Sequence, residues 1–179
     1  MQKNRNNKLK KLVLAGAFAA ISIVLGKLFA FNIGELFRVS FENLPIIFAG
    51  IALGPILGAA VGLVADITGC LIVGYTINPL ITVGGVAIGF LSGLVFRYGA
   101  KMKLKARVAI TVLCSHIVGS VIIKTLGLAW FYGTDFWTLI FYRAINYALI
   151  VAPEYTIIYI LMKNKGISSQ IEMLGNVEI

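Results

Sequence analysis

The sequence has few charged residues and few of the side chains that bind metals or carry out redox chemistry. Charged residues make up 13% of the 179 residues, whereas 59% are hydrophobic, and the mean hydropathy is +0.93. A soluble domain of this length must cover its surface with polar side chains, so this composition indicates an integral membrane protein with several spans. Cys70 and Cys114 have no spacing typical of a metal or redox site.

The motifs of several enzyme classes are also missing from the sequence. There is no Gly-x-x-x-x-Gly-Lys-Ser/Thr loop for ATP, no His-Glu-x-x-His zinc motif and no Gly-x-Ser-x-Gly nucleophile motif. We therefore expect the chain to capture a solute rather than to convert it, without a metal or cofactor of its own. An intramembrane enzyme using His116 and Glu154 is a distant alternative.

The basic residues form clusters that separate the apolar runs. Five precede the first run, five follow the run that ends near Phe96, and two follow the last run, which ends at Met162. Because basic clusters mark the cytoplasmic side of a membrane protein, an even number of crossings must separate these clusters. We therefore predict an all-α fold with six transmembrane helices and both termini in the cytoplasm.

The predicted protein is a single integral membrane domain, with residues 1–11 as a basic cytoplasmic N-terminus, 12–162 as the six-helix bundle and 163–179 as a cytoplasmic tail. Within the bundle, the apolar stretch 44–73 is too long for one span and short for two, and Gly54-Pro55 interrupts it. We predict that helices 2 and 3 are short or tilted and form a Gly-rich hairpin that turns at this dipeptide.

Some charged residues are not explained by this topology. Lys27, Arg38, Lys124 and Arg143 fall in the outer half, where the positive-inside rule does not place cations. Asp66 falls at the same depth. Because charges exposed to lipid are costly, we expect an outward-open cavity that binds an anion such as a carboxylate. Alternatively, Asp66 forms a structural ion pair with Lys124 or Arg143.

Two further pairs of residues are each open to two interpretations. His116 and Glu154 fall together nearer the cytoplasmic side, either as a proton relay or as a packing pair whose polar groups satisfy each other. Ala15 and Ala19 are four residues apart on the first helix. Small residues at this spacing allow close helix approach, either within this chain or by a partner.

Several motifs between residues 10 and 98 carry a family resemblance. They are Ala15-x-x-x-Ala19, Arg38-Val39-Ser40-Phe41, Leu44-Pro45-Ile46, Gly54-Pro55, Gly58, Gly62, Asp66, Gly69 and Asn78-Pro79. In these motifs the chain resembles the folate family of substrate-binding S components of energy-coupling factor (ECF) vitamin transporters. The resemblance implies a six-helix protein of a prokaryotic plasma membrane that captures a vitamin from outside.

The resemblance also implies partners and a substrate. A transmembrane coupling subunit would dock on Ala15 and Ala19, and two cytoplasmic ATPases would hydrolyse the ATP. Folate, with a flat pterin and two carboxylates, is the expected vitamin. Pantothenate or another anionic vitamin would satisfy the same electrostatics, and a non-transport structural or assembly protein is the alternative class. The expected substrate-binding residues follow from the depth argument rather than from the resemblance, and they are Arg38, Asp66, Asn78, Lys124 and Arg143.

Overall fold

The fold is a helical bundle with one small β-hairpin near its start. The structure, a computed structural model, describes residues 2–27, 29–33 and 37–174, and all side chains in these ranges except those of residues 2–5, 32, 33, 37 and 38. The elements are α1 (Gln2–Lys27), β1 (Phe31–Ile33), β2 (Phe37–Val39), α2 (Asn43–Leu53), α3 (Pro55–Val73), α4 (Pro79–Tyr98), α5 (Leu104–Ser115), a π-helix (His116–Ile123), α6 (Lys124–Tyr132), α7 (Phe136–Lys163) and α8 (Lys165–Met173). The predicted helical class is confirmed, and the antiparallel β1–β2 pair is an addition that the sequence analysis did not predict.

Five helical segments of the described chain are long and apolar enough to cross a membrane. They are Asn6–Lys27, Pro55–Val73, Pro79–Lys101, Leu104–Tyr132 and Phe136–Lys163. The chain is therefore a multi-pass membrane protein. The described chain has one fewer such segment than the six predicted, and the difference is predicted helix 2, which corresponds to the 11-residue helix α2. At a rise of ~1.5 Å per residue it covers roughly half of a ~30 Å hydrocarbon core, so the six-segment count stays a prediction.

The break between α2 and α3 falls at the predicted dipeptide. Gly54 has φ 94°, a left-handed value that favours glycine, and Pro55 occupies the first turn of α3. The chain reverses at this point. The close approach of Gly58 to Gly50 shows the reversal, since a Cβ atom on Gly58 would lie 2.5 Å from the Cα atom of Gly50. The sequence analysis predicted two short or tilted helices, and the structure divides the stretch into helices of 11 and 19 residues.

The short helix α2 lies inside the bundle. Ten of its eleven residues are buried, and it contacts α1, α3 and α4. Because neighbouring helices surround α2, it does not need to be as long as a helix whose surface faces the hydrocarbon core. The start of α2, directly after Glu42, therefore places the polar side chain of Asn43 in the interior of the molecule.

Helices α3 and α4 contact each other through glycines, which we call the glycine interface: Gly58 and Gly62 on α3 with Gly85 and Gly89 on α4. A Cβ atom on Gly89 would lie 2.0 Å from the carbonyl oxygen of Gly58, and one on Gly62 would lie 2.2 Å from that of Gly85. Neither carbonyl can give way without moving its helix. The two backbones therefore meet directly, as small residues allow in a bilayer.

Both predicted terminal segments contain helix. The predicted N-terminal segment 1–11 is helical from Gln2 onward, as part of α1. The predicted tail 163–179 contains α8, whose Ile171 is buried against the bundle. Residues 175–179 of that tail lie outside the described chain.

Candidate functional site

The outer cavity, as we name it, lies between the residues preceding α2 and helices α4, α6 and α7. Its volume is about 170 Å³. Charged, polar and aromatic side chains line it together with aliphatic ones: Ser40, Glu42, Ile81, Lys124, Leu128, Tyr142, Arg143, Asn146, Tyr147 and Ile150. The sequence analysis expected Lys124 and Arg143 at one depth, and the structure brings both into this cavity.

Lys124, the first residue of α6, supplies a nearly buried ammonium group to the outer cavity. It is 6% exposed, and its Nζ atom donates hydrogen bonds to Oε1 of Glu42 at 3.2 Å and to Oδ1 of Asn43 at 3.3 Å. Gly84 on α4 leaves room for the lysine stem, because a Cβ atom there would lie 2.5 Å from Cγ of Lys124. The ammonium group is thus held by the entrance to α2, although 82 residues separate Lys124 from Glu42.

Arg143 on α7 supplies the second cation. Its Nη2 atom donates to the backbone carbonyl of Ser120 at 3.0 Å and to the hydroxyl of Tyr147 at 3.3 Å. Ser120 lies in the π-helix, where the backbone N–H of Lys124 donates five residues back to Gly119. The wider turn of a π-helix shifts carbonyl partners relative to an α-helix, and such segments are frequent at functional sites. Here the shifted backbone presents a carbonyl to the arginine.

Among its described side chains, the outer cavity has more positive than negative charges. Lys124 and Arg143 contribute two positive charges and Glu42 one negative charge, which leaves one uncompensated positive charge when all three are ionised. Glu42 was not among the expected site residues, so the sequence analysis overestimated the free positive charge around Lys124. An anionic ligand with acceptor oxygens suits the remaining charge, because charge-assisted hydrogen bonds to carboxylates are strong.

Asp66 lies beside a second, smaller cavity of about 20 Å³ rather than beside the outer cavity. This space is also lined by Lys27, Glu42 and Lys124, so the two cavities share Glu42 and Lys124. The Oδ2 atom of Asp66 accepts a hydrogen bond from Oγ1 of Thr82 at 2.5 Å. Among the described side chains, Asp66 forms no ion pair with Lys124 or with Arg143, so the structural pair considered above is not what the structure contains.

Asn78 caps α4 and connects it to α6. Its Oδ1 atom accepts from the backbone N–H groups of Leu80 at 3.0 Å and Ile81 at 3.4 Å, and its Nδ2 atom donates to the carbonyl of Gly127 at 2.8 Å. Asn78 is thus engaged with backbone groups and does not line the outer cavity. Its contribution to ligand binding stays a prediction.

Arg38, the remaining expected binding residue, lies on β2. Its backbone pairs with that of Asn32 on β1, and its side chain lies outside the described part of the structure. The β1–β2 pair belongs to the connection between α1 and α2, which continues directly into Ser40 and Glu42 of the outer cavity. The position of Arg38 along the chain is therefore compatible with the predicted role.

His116 and Glu154 lie together, as expected, but in the interior rather than at a surface. Nε2 of His116 and Oε2 of Glu154 are 2.5 Å apart, and both residues are at most 1% exposed. Nδ1 of His116 is 3.2 Å from the hydroxyl of Ser120. The predicted facing of this helix and α7 is confirmed by this pair and by the bond from Arg143 to Ser120. Among the described side chains, no cluster of three His, Cys, Asp or Glu residues could hold a metal ion.

The expected docking residues on α1 differ in exposure. Ala19 is buried against the core, and Ala15 is partly buried beside it. Gly16 and Ala20, which have the same four-residue spacing, are exposed, and a Cβ atom on Gly16 would meet nothing within 4 Å. The small residues of α1 therefore form two rows. Ala15 and Ala19 pack against the protein's own core, while Gly16 and Ala20 lie on the exposed surface.

The comparison with known proteins decides the family. Residues 10–163 match the substrate-specific component of ECF transporters. The chain belongs to this family. It is a family of transport components rather than of enzymes, which agrees with the absence of hydrolase motifs from the sequence.

Among solved structures, this ECF component is similar to one described as the crystal structure of FolT bound with folic acid. The TM-score is 0.69 and the sequence identity is 25%, and the alignment covers 85% of this chain and 92% of that one. No curated protein sequence matches the chain. The similarity therefore extends over most of the fold.

Proposed function

We propose that this S component captures folate, or a closely related anionic vitamin, from outside the cell. The observation that carries the proposal is the placement of Lys124 and Arg143 in one cavity, whose described side chains have more positive than negative charges. The similarity to a folate-bound FolT structure supports folate over other anions. Carboxylates of the ligand bind these two cations, because charge-assisted hydrogen bonds from guanidinium and ammonium groups to carboxylate oxygens are strong.

The remaining lining of the cavity suits the ring of the vitamin. Tyr142 and Tyr147 present aromatic surfaces, while Asn146 offers an amide near them. The cavity volume of about 170 Å³ is below the ~300–1,000 Å³ of most small-molecule sites. A ligand of folate's size must therefore displace part of the wall. Strand β2, which carries Arg38, is the segment we propose to move, so that it acts as a gate.

The other expected binding residues enter this proposal at the edge of the site. Asp66 adjoins the cavity through Lys124 and Glu42, and Asn78 fixes the junction of α4 with α6. We propose that Asp66 and Asn78 help to position the binding residues. Asn78 does so by linking the start of α4 to α6. Neither role requires a metal or a cofactor.

The topology follows from the charge clusters. We propose six membrane segments, of which α2 and α3 form a re-entering hairpin around Gly54, with both termini in the cytoplasm. This orientation places the basic clusters at residues 3–11, 97–107 and 163–165 inside a prokaryotic plasma membrane. The opening of the outer cavity then faces the outside.

Transport requires partners that hydrolyse ATP, since this chain has no nucleotide-binding loop. We propose a transmembrane coupling subunit and two cytoplasmic ATPases. The coupling subunit docks on the small-residue surface of α1, where Ala15 and Ala19 were expected and where Gly16 and Ala20 are the exposed members. Co-purification of all three partners supports transport, whereas a stable homo-oligomer without partners supports a structural or assembly protein.

Calorimetric titration of the purified chain tests the substrate. We expect saturable one-to-one binding of folate and weaker or no binding of pantothenate. Pantothenate is the informative competitor, because it is smaller and would fit the present cavity volume with less movement of the gate. Preferential binding of pantothenate would overturn the folate assignment, and binding of no vitamin would overturn the proposed function.

A further inference from the structure

A continuous row of buried hydrogen bonds leads away from the outer cavity into the bundle. It starts at Nζ of Lys124, which donates to Oδ1 of Asn43 at 3.3 Å, and Nδ2 of Asn43 then donates to Oγ of Ser120 at 3.4 Å. From Ser120 it continues to Nδ1 of His116 at 3.2 Å and from Nε2 of His116 to Oε2 of Glu154 at 2.5 Å. We call this row the polar chain. Its members come from four helical segments: α6, α2, the π-helix and α7.

With Glu154 ionised and Ser120 donating to Nδ1 of His116, the two ends of the polar chain set the direction of every bond in it. An ammonium group only donates, and an ionised carboxylate only accepts. The amide of Asn43 accepts at its oxygen and donates at its nitrogen, so the hydroxyl of Ser120 receives one bond and is free to donate to Nδ1 of His116. The imidazole is then neutral, with its proton on Nε2, and donates this proton to Glu154.

Burial prevents the members of the polar chain from exchanging partners with water. Ser120 and Glu154 are 0% exposed, and His116 and Asn43 are 1% exposed. In such surroundings hydrogen bonds are electrostatically strong and polarise one another. Reorienting one member therefore forces its neighbours to reorient or to lose a partner.

Ser120 also connects the polar chain to the second cation of the site. Its carbonyl oxygen accepts from Nη2 of Arg143 at 3.0 Å, while its hydroxyl takes part in the polar chain. One residue of the π-helix thus contacts Arg143 directly and reaches Lys124 through Asn43. The interior members of the polar chain do not line the outer cavity; they are Ser120, His116 and Glu154.

We propose that His116 and Glu154 are positioning residues for the vitamin site. Through Ser120 and Asn43 they hold the ammonium group of Lys124 in the direction of the cavity, and a ligand that recruits this group alters the hydrogen bonding of His116. The proposal rests on the proposed function for its ligand, but the polar chain exists in the ligand-free protein and is tested there as well.

The first test compares two buried serines. Ser120→Ala removes the central hydroxyl of the polar chain. Ser115→Ala is the matched control, because Ser115 is also 0% exposed and donates only within its own helix, to the carbonyl of Thr111 at 2.8 Å. We expect Ser120→Ala to weaken folate binding by roughly 3- to 10-fold, as loss of one hydrogen bond allows. We expect Ser115→Ala to change it less than about 2-fold, at similar loss of thermal stability. Equal affinities for the two variants would overturn the proposal.

The second test needs no vitamin. His116 is the one histidine of the chain, so selective ¹⁵N-histidine labelling gives a single pair of ring signals that report the tautomer. We expect a neutral ring with the proton on Nε2. We also expect Lys124→Met to shift these signals in the wild-type background but not in the Ser120→Ala background. An imidazolium ring, a proton on Nδ1, or signals insensitive to Lys124→Met would overturn the proposal even if folate binds. If these signals behave as expected and no folate binds, the fault lies in the proposed substrate.

Discussion

Two regions of this molecule achieve close helix packing in opposite ways. In the glycine interface between α3 and α4, backbone meets backbone, and a Cβ atom on Gly89 would lie 2.0 Å from a carbonyl oxygen. Between the π-helix and α7, contact is made by polar side chains, including the 2.5 Å pair of His116 and Glu154. The glycine contacts are made by backbone atoms, with Asp66 as the neighbouring ionisable group, whereas the polar region contains Arg143 and adjoins Lys124, the two cations of the outer cavity.

This difference separates the framework of the protein from its binding site. Helices associate in lipid through packing and interhelical hydrogen bonds, because apolar burial between helices gives little advantage there. The glycine interface relies on the direct packing of two backbones. The polar region combines hydrogen bonds with a cavity. We therefore expect substitutions in the first region to affect folding and substitutions in the second to affect binding.

The largest effect is expected from Gly89→Ala. The added methyl group overlaps the carbonyl of Gly58 on the facing helix, and the helices must separate to admit it. Overpacking of this kind costs about 3 kcal/mol or more when backbone must move. We expect a large fall in the unfolding temperature in detergent, or loss of a monodisperse protein in size-exclusion chromatography.

Gly16→Ala is the control for this substitution. A Cβ atom at Gly16 would meet nothing within 4 Å, so the unfolding temperature should stay the same or rise slightly, in line with the helix propensity of alanine. Equal stability of the Gly89→Ala and Gly16→Ala variants would mean that the glycine interface is not the framework described above.

A more moderate effect is expected from removing either cation of the outer cavity. Lys124→Ala or Arg143→Ala should weaken folate binding by more than about tenfold, which corresponds to ~1.4 kcal/mol. Calorimetric titration measures the change, with Lys105→Ala as a control that removes an exposed cation elsewhere. Unchanged affinity in both cavity variants would assign Lys124 and Arg143 a purely structural role.

The smallest effect is expected at the start of α7, outside the membrane segments. The carboxylate of Asp135 accepts hydrogen bonds from the backbone N–H and the hydroxyl of Thr138 at 2.7 and 2.8 Å, first of all the backbone bond, and these lower the pKa of Asp135. A lowered pKa means that the stabilisation is present above the unfolded pKa of about 4 and is lost as the pH falls through the folded pKa.

We therefore expect Asp135→Ala to lower the unfolding temperature slightly at pH 7 and by less at the acidic end of a pH series. Asp135→Asn keeps a cap oxygen without titrating, so its difference from the alanine variant should persist at every pH. A constant difference between wild type and Asp135→Ala across the series would show that the charge of this cap does not contribute.

Local features of the fold were predictable because they depend on neighbouring residues. The turn at Gly54-Pro55 follows from the conformations available to these two residues. The facing of His116 and Glu154 follows from helical spacing combined with topology. The β1–β2 pair and the unequal lengths of α2 and α3 were not predicted, because nothing in the local apolar pattern specifies them.

The site was predictable only in part. Depth counting placed Lys124 and Arg143 at one level, and the structure brings them into one cavity. Glu42 was missed, because its bond to Lys124 spans 82 residues and depends on how the connection before α2 folds. The π-helix was missed as well. No residue pattern distinguishes a π-helix from an α-helix in the sequence, yet the wider turn determines which backbone carbonyl accepts from Arg143.

A structure of the protein with folate bound tests the central claim most directly. We expect a carboxylate of the vitamin within hydrogen-bond distance of Nζ of Lys124 or of the Arg143 guanidinium, with β2 displaced from its present position. Folate bound at a site that contacts neither cation would contradict the account.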